Sequence, residues 1–188
     1  STRTNFLNDS RNLNLNGENY EIMVWDAKLA LITHVEFTDS EGLSKIKLPD
    51  AVVPLEFSDH ATHVTGTIGA SGVNPNAKGM APKVSMSSYD WDSDIMEVTN
   101  NAEAGLLVSN HSYGIPIVQD NDDQLPASYI GSYNQEAMLW DEVHFNFPYY
   151  LMVVSAGNDG STSYNGGGKS GYDKLTGEKN SKNNLVVA

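Results

Sequence analysis

Short apolar runs alternate with amphipathic stretches along the chain, and this alternation predicts strands separated by helices. Strands are predicted at residues 20–25, 83–89, 106–110, 149–155 and 185–188. Helices are predicted at residues 60–70, 94–104 and 131–146, with Ser58 and Asp59 as the capping region of the first. This order of elements indicates an α/β fold with a mostly parallel central sheet and helices on both faces.

The C-terminal part of the sequence changes in character. The run YYLMVVS at residues 149–155 has the continuous hydrophobicity of a strand buried on both faces. Residues 159–184 are rich in Gly, Ser and Asn and are predicted to form a long surface loop, after which LVVA begins another buried strand. Because a domain seldom ends inside an apolar strand, we interpret residues 1–188 as the N-terminal portion of a single domain.

Composition narrows the classes of function. The chain has 188 residues, 11 Lys and Arg against 24 Asp and Glu, a net charge of −13 and a hydrophobic fraction of 39%, which describes an acidic globular protein. It has no basic cluster, so nucleic acid is not an expected partner. No apolar run approaches the roughly 20 residues of a membrane span. The absence of cysteine excludes disulfides, cysteine-ligated zinc and thiol catalysis.

Polar side chains follow several of the predicted strands. Asp26 comes at the end of the first strand, and the segments 110–114 and 156–159 follow two later ones. In parallel α/β folds, ligands bind at the carboxyl ends of the strands. We therefore expect these three segments to meet at one crevice.

Two histidines in the first helix allow two interpretations. His60 and His63 share a helix face and could bind a metal together with Asp26, as in a metallohydrolase. The metalloprotease helix, however, places its histidines four residues apart with a glutamate between them. Alternatively, His60 is a general base oriented by Asp26, and His63 is a packed structural residue.

Asn158 also has two interpretations. It follows the most apolar strand in the sequence VVSAGNDG. Its amide could donate a hydrogen bond to a developing oxyanion, or the Asn-Asp-Gly sequence could simply form a turn.

Together these segments resemble the subtilisin-like serine proteases (peptidase S8), and the resemblance covers nearly the whole chain. The sequence HATHVTGT is similar to the family's histidine box, and KGMAPKVSM is similar to the segment that follows it. SNHSYG resembles the substrate-binding strand, and VVSAGNDG resembles the stretch with the oxyanion-hole asparagine. VWDAKLALITHVEF is the weakest match and would be the aspartate box. The sequences of these motifs are most similar to those of bacterial family members from the Bacteroidetes.

The resemblance implies a role for each matched residue. Asp26 would orient His60, His60 would be the general base and acid, and Asn158 would donate to the tetrahedral intermediate. Substrate binding would fall to two groups of residues, which are Ser112, Tyr113 and Gly114, pairing with an extended peptide, and Ala156 and Gly157, forming a pocket wall. His63 would pack behind His60.

Two departures from the family pattern stand out. Ala27 and Lys28 follow Asp26, where the family has a small residue and then glycine. No Gly-Thr-Ser box, which would carry the nucleophilic serine, follows Asn158. The expected function is therefore serine-type endopeptidase, with this chain inactive alone and partnered by a missing C-terminal segment of its own domain. The alternatives are a non-catalytic module that binds peptides and the His/Asp metallohydrolase.

No cofactor is expected for the reaction itself. Asp90, Asp92 and Asp94 alternate, but the glycine and closing glutamate of an EF-hand are absent. The run DNDD at residues 120–123 is predicted to be a surface loop. Structural calcium is possible by resemblance, although no ligand loop matches. The family resemblance also implies a protein that is secreted or located at the surface of a bacterial cell.

Overall fold

The computed structural model describes residues 4–8, 13–161 and 174–188. Contacts divide the chain into two compact units, which are residues 1–94 and residues 95–188. Both contain parallel strands and helices, which confirms the expected α/β class with a mostly parallel sheet. No helix in the described ranges is long and apolar enough to span a membrane.

The N-terminal unit is built on three parallel strands. Its elements are α1 (Asn5–Asn8), β1 (Glu21–Asp26), β2 (Ile46–Lys47), α2 (Asp59–Gly69) and β3 (Ser85–Asp90), and the strand order is β2-β3-β1. The helix α2 packs against β1 and β3. Trp25 stacks on Tyr89 across the paired strands, with ring centroids 4.5 Å apart. A buried cluster supports the sheet and consists of Phe37, Ile46, Val84 and Met86.

The C-terminal unit repeats this architecture. Its elements are α3 (Asp94–Glu103), β4 (Val108–His111), α4 (Gln135–Asn146), β5 (Leu151–Ser155) and β6 (Leu185–Val187). The three strands pair in parallel in the order β4-β5-β6. Trp140 of α4 and Met152 and Val154 of β5 are fully or almost fully buried.

The burial of the two last strands differs from the prediction. Met152 and Val154 of β5 are buried, but Leu151 is 36% exposed, so only alternate residues enter the core. In β6, Leu185 and Val187 are about half exposed, and among the described residues of this unit the strand pairs with β5 alone. The predictions that residues 149–155 form a strand buried on both faces and that LVVA begins a buried strand are therefore wrong.

The predicted surface loop at residues 159–184 also needs correction. Its part at residues 162–173 lies outside the described residues. The following part contains a 3-10 turn, Gly177–Asn180, in which Glu178 and Lys179 are buried. The polar composition of the segment hid this turn, because charged side chains are seldom buried unless they are paired.

Candidate active site

Asp26 is the last residue of β1, and its carboxylate is almost completely buried. The side chain is 1% exposed, and the last four residues of β1 are all buried. The backbone N–H of Ala27 donates a hydrogen bond of 2.8 Å to Oδ1. The strand therefore delivers a fixed anion at its carboxyl end.

His60 lies in the first turn of α2, and a serine cap fixes where that turn begins. The Ser58 hydroxyl accepts hydrogen bonds from the backbone N–H groups of His60 (3.1 Å) and Ala61 (3.3 Å). This confirms the predicted cap, which satisfies N–H groups that lack partners within the helix. Ala61 is fully buried against the sheet, whereas the His60 side chain is 58% exposed.

The two side chains form a close pair. Nδ1 of His60 lies 2.8 Å from both Oδ1 and Oδ2 of Asp26. We assign the proton to Nδ1, because the carboxylate can only accept, and this leaves the lone pair of Nε2 available. Burial raises the pKa of the Asp26 carboxyl, and the hydrogen bonds from His60 and Ala27 oppose that rise. A neutral imidazole held in this tautomer can act as a general base.

The loop after Asp26 explains the departure at Lys28. Lys28 has a φ of +68°, the left-handed conformation for which glycine is favoured. Its ammonium lies 2.9 Å from Glu56 and 3.8 Å from Asp90, so the lysine is held by carboxylates on two sides. At Lys28 the loop thus has the left-handed backbone conformation that glycine adopts most easily, although the residue is a lysine.

A second anchor of this loop was not predicted from the sequence. The backbone N–H of Ala30 donates to the hydroxyl of Ser88 at 3.0 Å, and both residues are fully buried. Ser88 lies in β3, so the bond joins the loop after β1 to the neighbouring strand. A serine inside a strand gave no signal that distinguished it from an ordinary core position.

The structure corrects the prediction for His63. The residue is exposed and does not pack behind His60; it lines a cavity of about 560 Å³ together with His34, Phe37 and Met80. Residues three apart on α2 diverge by 60° around the helix, which is enough to send His63 to a different surface. No group of three or more His, Asp or Glu side chains in the described ranges is arranged to hold a metal ion.

The predicted peptide-binding residues follow β4 in the C-terminal unit. Ser112 and Tyr113 are half-buried and Gly114 is exposed. Asn110 donates through Nδ2 to the Ser112 hydroxyl at 2.9 Å. Gly114 has a φ of +146°, a conformation that side chains disfavour.

A buried chain of hydrogen bonds supports Tyr113 and was missed in the sequence. The Tyr113 hydroxyl lies 2.7 Å from Nδ1 of His111, and Nε2 of His111 lies 2.7 Å from the Ser109 hydroxyl. Ser109 in turn bonds the Tyr150 hydroxyl. Burial lowers the pKa of His111 to about 3, so the imidazole is neutral at physiological pH. In the sequence, the feature that could have indicated this network is His111 within SNHSYG.

The remaining predicted residues follow β5. Ala156 is half-buried, and its N–H donates to the carbonyl of Val187 at 2.7 Å. Gly157 has a φ of +95° and, like Asn158, is exposed. Because β4 and β5 pair in parallel, the loops carrying Gly114 and Asn158 leave the same edge of this unit's strands.

The acidic sequences show ordinary structural roles. Asp90 ends β3 and Asp94 begins α3, with a 3-10 turn, Trp91–Ser93, between them. The run at residues 120–123 is exposed, as predicted, and Asn121 bonds Asp123 within the turn.

Comparisons with known proteins agree with this geometry. The family model described as "Subtilase family" matches residues 37–188. Among solved structures, the CspB protease of Clostridium perfringens is 23% identical with a TM-score of 0.54, over 80% of this chain and 39% of that one. A mutant of the protease domain of PatA is 17% identical with a TM-score of 0.52, over 77% of this chain and 52% of that one.

The chain therefore spans between about two fifths and one half of the length of these two structures. At this level of identity the structural likeness concerns the fold. Comparison with curated protein sequences finds no match. The family model covers more than half of the chain, and the chain belongs to the subtilase family.

Proposed function

We propose that this chain supplies the general base and its orienting carboxylate to a serine-type endopeptidase. The observation that carries the proposal is the pair of 2.8 Å contacts between Nδ1 of His60 and the buried carboxylate of Asp26. This arrangement leaves Nε2 of an exposed imidazole free to take a proton. Membership of the subtilase family supports the assignment.

In the proposed reaction, His60 removes the proton from a serine hydroxyl as that oxygen attacks the peptide carbonyl. The carboxylate of Asp26 stabilises the imidazolium that forms. His60 then gives the proton to the leaving amine, and water releases the acyl group by the reverse route. The serine would lie outside these 188 residues, which contain no Gly-Thr-Ser box. It would come from a further segment of the same domain.

The C-terminal unit would bind the substrate and its oxyanion. An extended peptide would pair with the backbone at Ser112, Tyr113 and Gly114, as an added strand does. Ala156 and Gly157 would form the wall of the adjoining pocket, and their small size leaves room for a side chain. The amide of Asn158 would donate to the oxyanion, and the loss of such a donor typically lowers turnover by about 10²–10³-fold.

The test is labelling of the full-length protein with a fluorophosphonate, followed by mapping of the labelled peptide. We expect one labelled serine outside residues 1–188 and a fall of at least about 10³-fold in labelling rate for His60→Ala. His63→Ala is the matched control, because His63 lies on the same helix but lines a different cavity. Labelling that is unchanged in His60→Ala would contradict the proposal.

A second candidate is a non-catalytic module that binds extended peptides. Lys28 at a position where the family has glycine, and the absent serine box, favour it. In this case the full-length protein would bind peptides but neither hydrolyse them nor react with the fluorophosphonate. The metallohydrolase alternative predicts stoichiometric zinc and loss of activity on chelation, and elemental analysis tests it.

We further propose that the protein is secreted or displayed on a bacterial cell, in an organism of the Bacteroidetes. Resemblance to secreted family members supports this, and a net charge of −13 is compatible with it. The proposed reaction uses no cofactor, and calcium would have only a structural role. Detection of the protein in washed cells and in culture supernatant, by antibody, tests the location.

A further inference from the structure

Gly114 lies directly over a buried ion pair. A Cβ atom built on Gly114 would overlap Nζ of Lys179 and would lie 2.7 Å from Oε1 of Glu178. The lysine side chain therefore occupies the volume that any side chain at position 114 would need. On its other side Gly114 is exposed.

The ion pair itself is almost completely withdrawn from solvent. Nζ of Lys179 lies 3.0 Å from Oε1 of Glu178, and the two side chains are 4% and 3% exposed. Such a pair persists only when each charge has its partner, because an uncompensated buried charge costs several kcal/mol. Each of the two buried charges therefore depends on the other for its compensation.

Further bonds tie the same turn to the chain after Gly114. The Thr176 hydroxyl donates to the carbonyl of Ile115 at 2.7 Å. Asn184 donates through Nδ2 to the carbonyl of Glu178 at 2.9 Å, which joins the turn to the residue before β6. The turn is thus tied to the segment after Gly114 by the Thr176 side chain, and to the residue before β6 by the carbonyl of Glu178.

We propose that Lys179 and Glu178 are positioning residues for peptide binding. They hold the backbone of Gly114 in the position from which it can form hydrogen bonds with an extended substrate. This inference rests on the proposed function, because it takes residues 112–114 as the peptide-binding segment. Strand pairing requires donor and acceptor atoms to align within a few tenths of an ångström. Removing the lysine side chain leaves space beneath Gly114, into which the segment can shift.

The test compares two substrates in the full-length protein carrying Lys179→Ala. One is a tetrapeptide p-nitroanilide, which spans the segment, and the other is an N-acetyl amino-acid p-nitrophenyl ester, which does not. We expect KM for the tetrapeptide to rise about tenfold, the equivalent of one or two lost backbone hydrogen bonds. We expect kcat for both substrates and KM for the ester to change little, after correction for active enzyme by titration.

Lys182→Ala is the matched control. Lys182 is 66% exposed, and its partner is Asp141 at 3.6 Å, so its removal does not disturb Gly114. A second variant, Glu178→Gln with Lys179→Met, keeps the volume beneath Gly114 without a charge and should restore KM to within about threefold. Equal losses for both substrates in Lys179→Ala would show a general structural role and overturn the proposal.

Binding separates this inference from the proposed function. In a His60→Ala background, fluorescein-labelled denatured casein should bind about tenfold more weakly when Lys179→Ala is added. If the unaltered protein binds casein but hydrolyses nothing, the proposed function fails while a tenfold loss still supports the inference. If the fluorophosphonate labels the unaltered protein in a His60-dependent way but Lys179→Ala leaves casein binding unchanged, the inference fails and the proposed function stands.

Discussion

Nδ1 of His60 is equidistant, at 2.8 Å, from the two carboxylate oxygens of Asp26, although the imidazole is 58% exposed and the carboxylate only 1%. An exposed ring is thus oriented by a buried anion. Burial raises the pKa of the Asp26 carboxyl, so keeping it ionised lowers the stability of the fold. This cost at a reactive site is typical of groups retained for chemistry.

Asp26→Asn should separate activity from stability. We expect kcat to fall by about 10⁴-fold, because an amide does not fix the Nδ1–H tautomer of His60. The folded-state pKa of Asp26 is raised above 3.8, so the unaltered protein loses stability as pH rises through that folded pKa. The variant should lack this loss. Unfolding by urea, measured at several values from about pH 4 to about pH 8, would test this.

The matched control for that experiment is Asp59→Asn. Asp59 adjoins His60 in α2 but is exposed and lines the cavity that contains His63. Its replacement should leave kcat within about twofold. A comparable fall of kcat in both variants would mean that activity depends on negative charge near the start of α2, and not on the contact between Asp26 and Nδ1 of His60.

The left-handed backbone at Lys28 gives a prediction about the glycine that the family has there. Lys28→Gly and Lys28→Ala both remove the contacts with Glu56 and Asp90, so the loss of these contacts is common to the two variants and cancels in their comparison. Only glycine relieves the φ of +68°. The glycine variant should therefore be more stable than the alanine variant by about 1 kcal/mol, in chemical denaturation. Equal stabilities would contradict this account of the loop.

The main elements could be predicted from the sequence because their signals are local. The Ser58 cap and the apolar spacing of α2 identify its start, and β1 is a clear apolar run ending at Asp26. The two residues of β2 were not predicted, because so short a strand carries no periodicity and depends on pairing with β3.

The candidate site was predictable where a motif carries the chemistry. Asp26 and His60 were paired from motif order alone, and they meet. The burial of Lys179 depends on Glu178 and on the absence of a side chain at Gly114, a relationship between distant positions. The composition of residues 159–184 instead suggested a solvated loop. The exposure of His63 could not be predicted either, because it depends on the residues that surround α2.

The buried His111 should make stability depend on acid. Burial lowers its pKa from 6.5 to about 3. Between these two pH values the unfolded chain binds a proton at this histidine, whereas the folded chain does not. Stability is therefore complete above about 6.5 and falls as pH decreases, by up to about 1.4 kcal/mol per pH unit from this one group. His111→Gln should reduce that slope in denaturant titrations.

Nuclear magnetic resonance provides a direct check on the same group. The Cε1–H signal of His111 should stay constant from about pH 8 to pH 5, whereas an unperturbed imidazole titrates in that interval. His111 also bonds Tyr113 and Ser109, so the Tyr113→Phe variant tests whether the network or burial keeps the ring neutral. A signal that titrates near 6.5 in the unaltered protein would contradict the assigned burial.

Gly79 is the glycine of the sequence KGMAP, and its packing predicts a strong requirement for glycine. An added Cβ would lie 2.4 Å from the backbone nitrogen of Ala70 and 2.8 Å from that of Gly69, and backbone at the end of α2 cannot move aside as a side chain can. Gly79→Ala should therefore lower the free energy of unfolding by about 3 kcal/mol. Gly160→Ala is the matched control, since nothing lies within 4 Å of its added Cβ. Its stability should change by less than about 0.5 kcal/mol, and equal effects of the two changes would refute the packing argument.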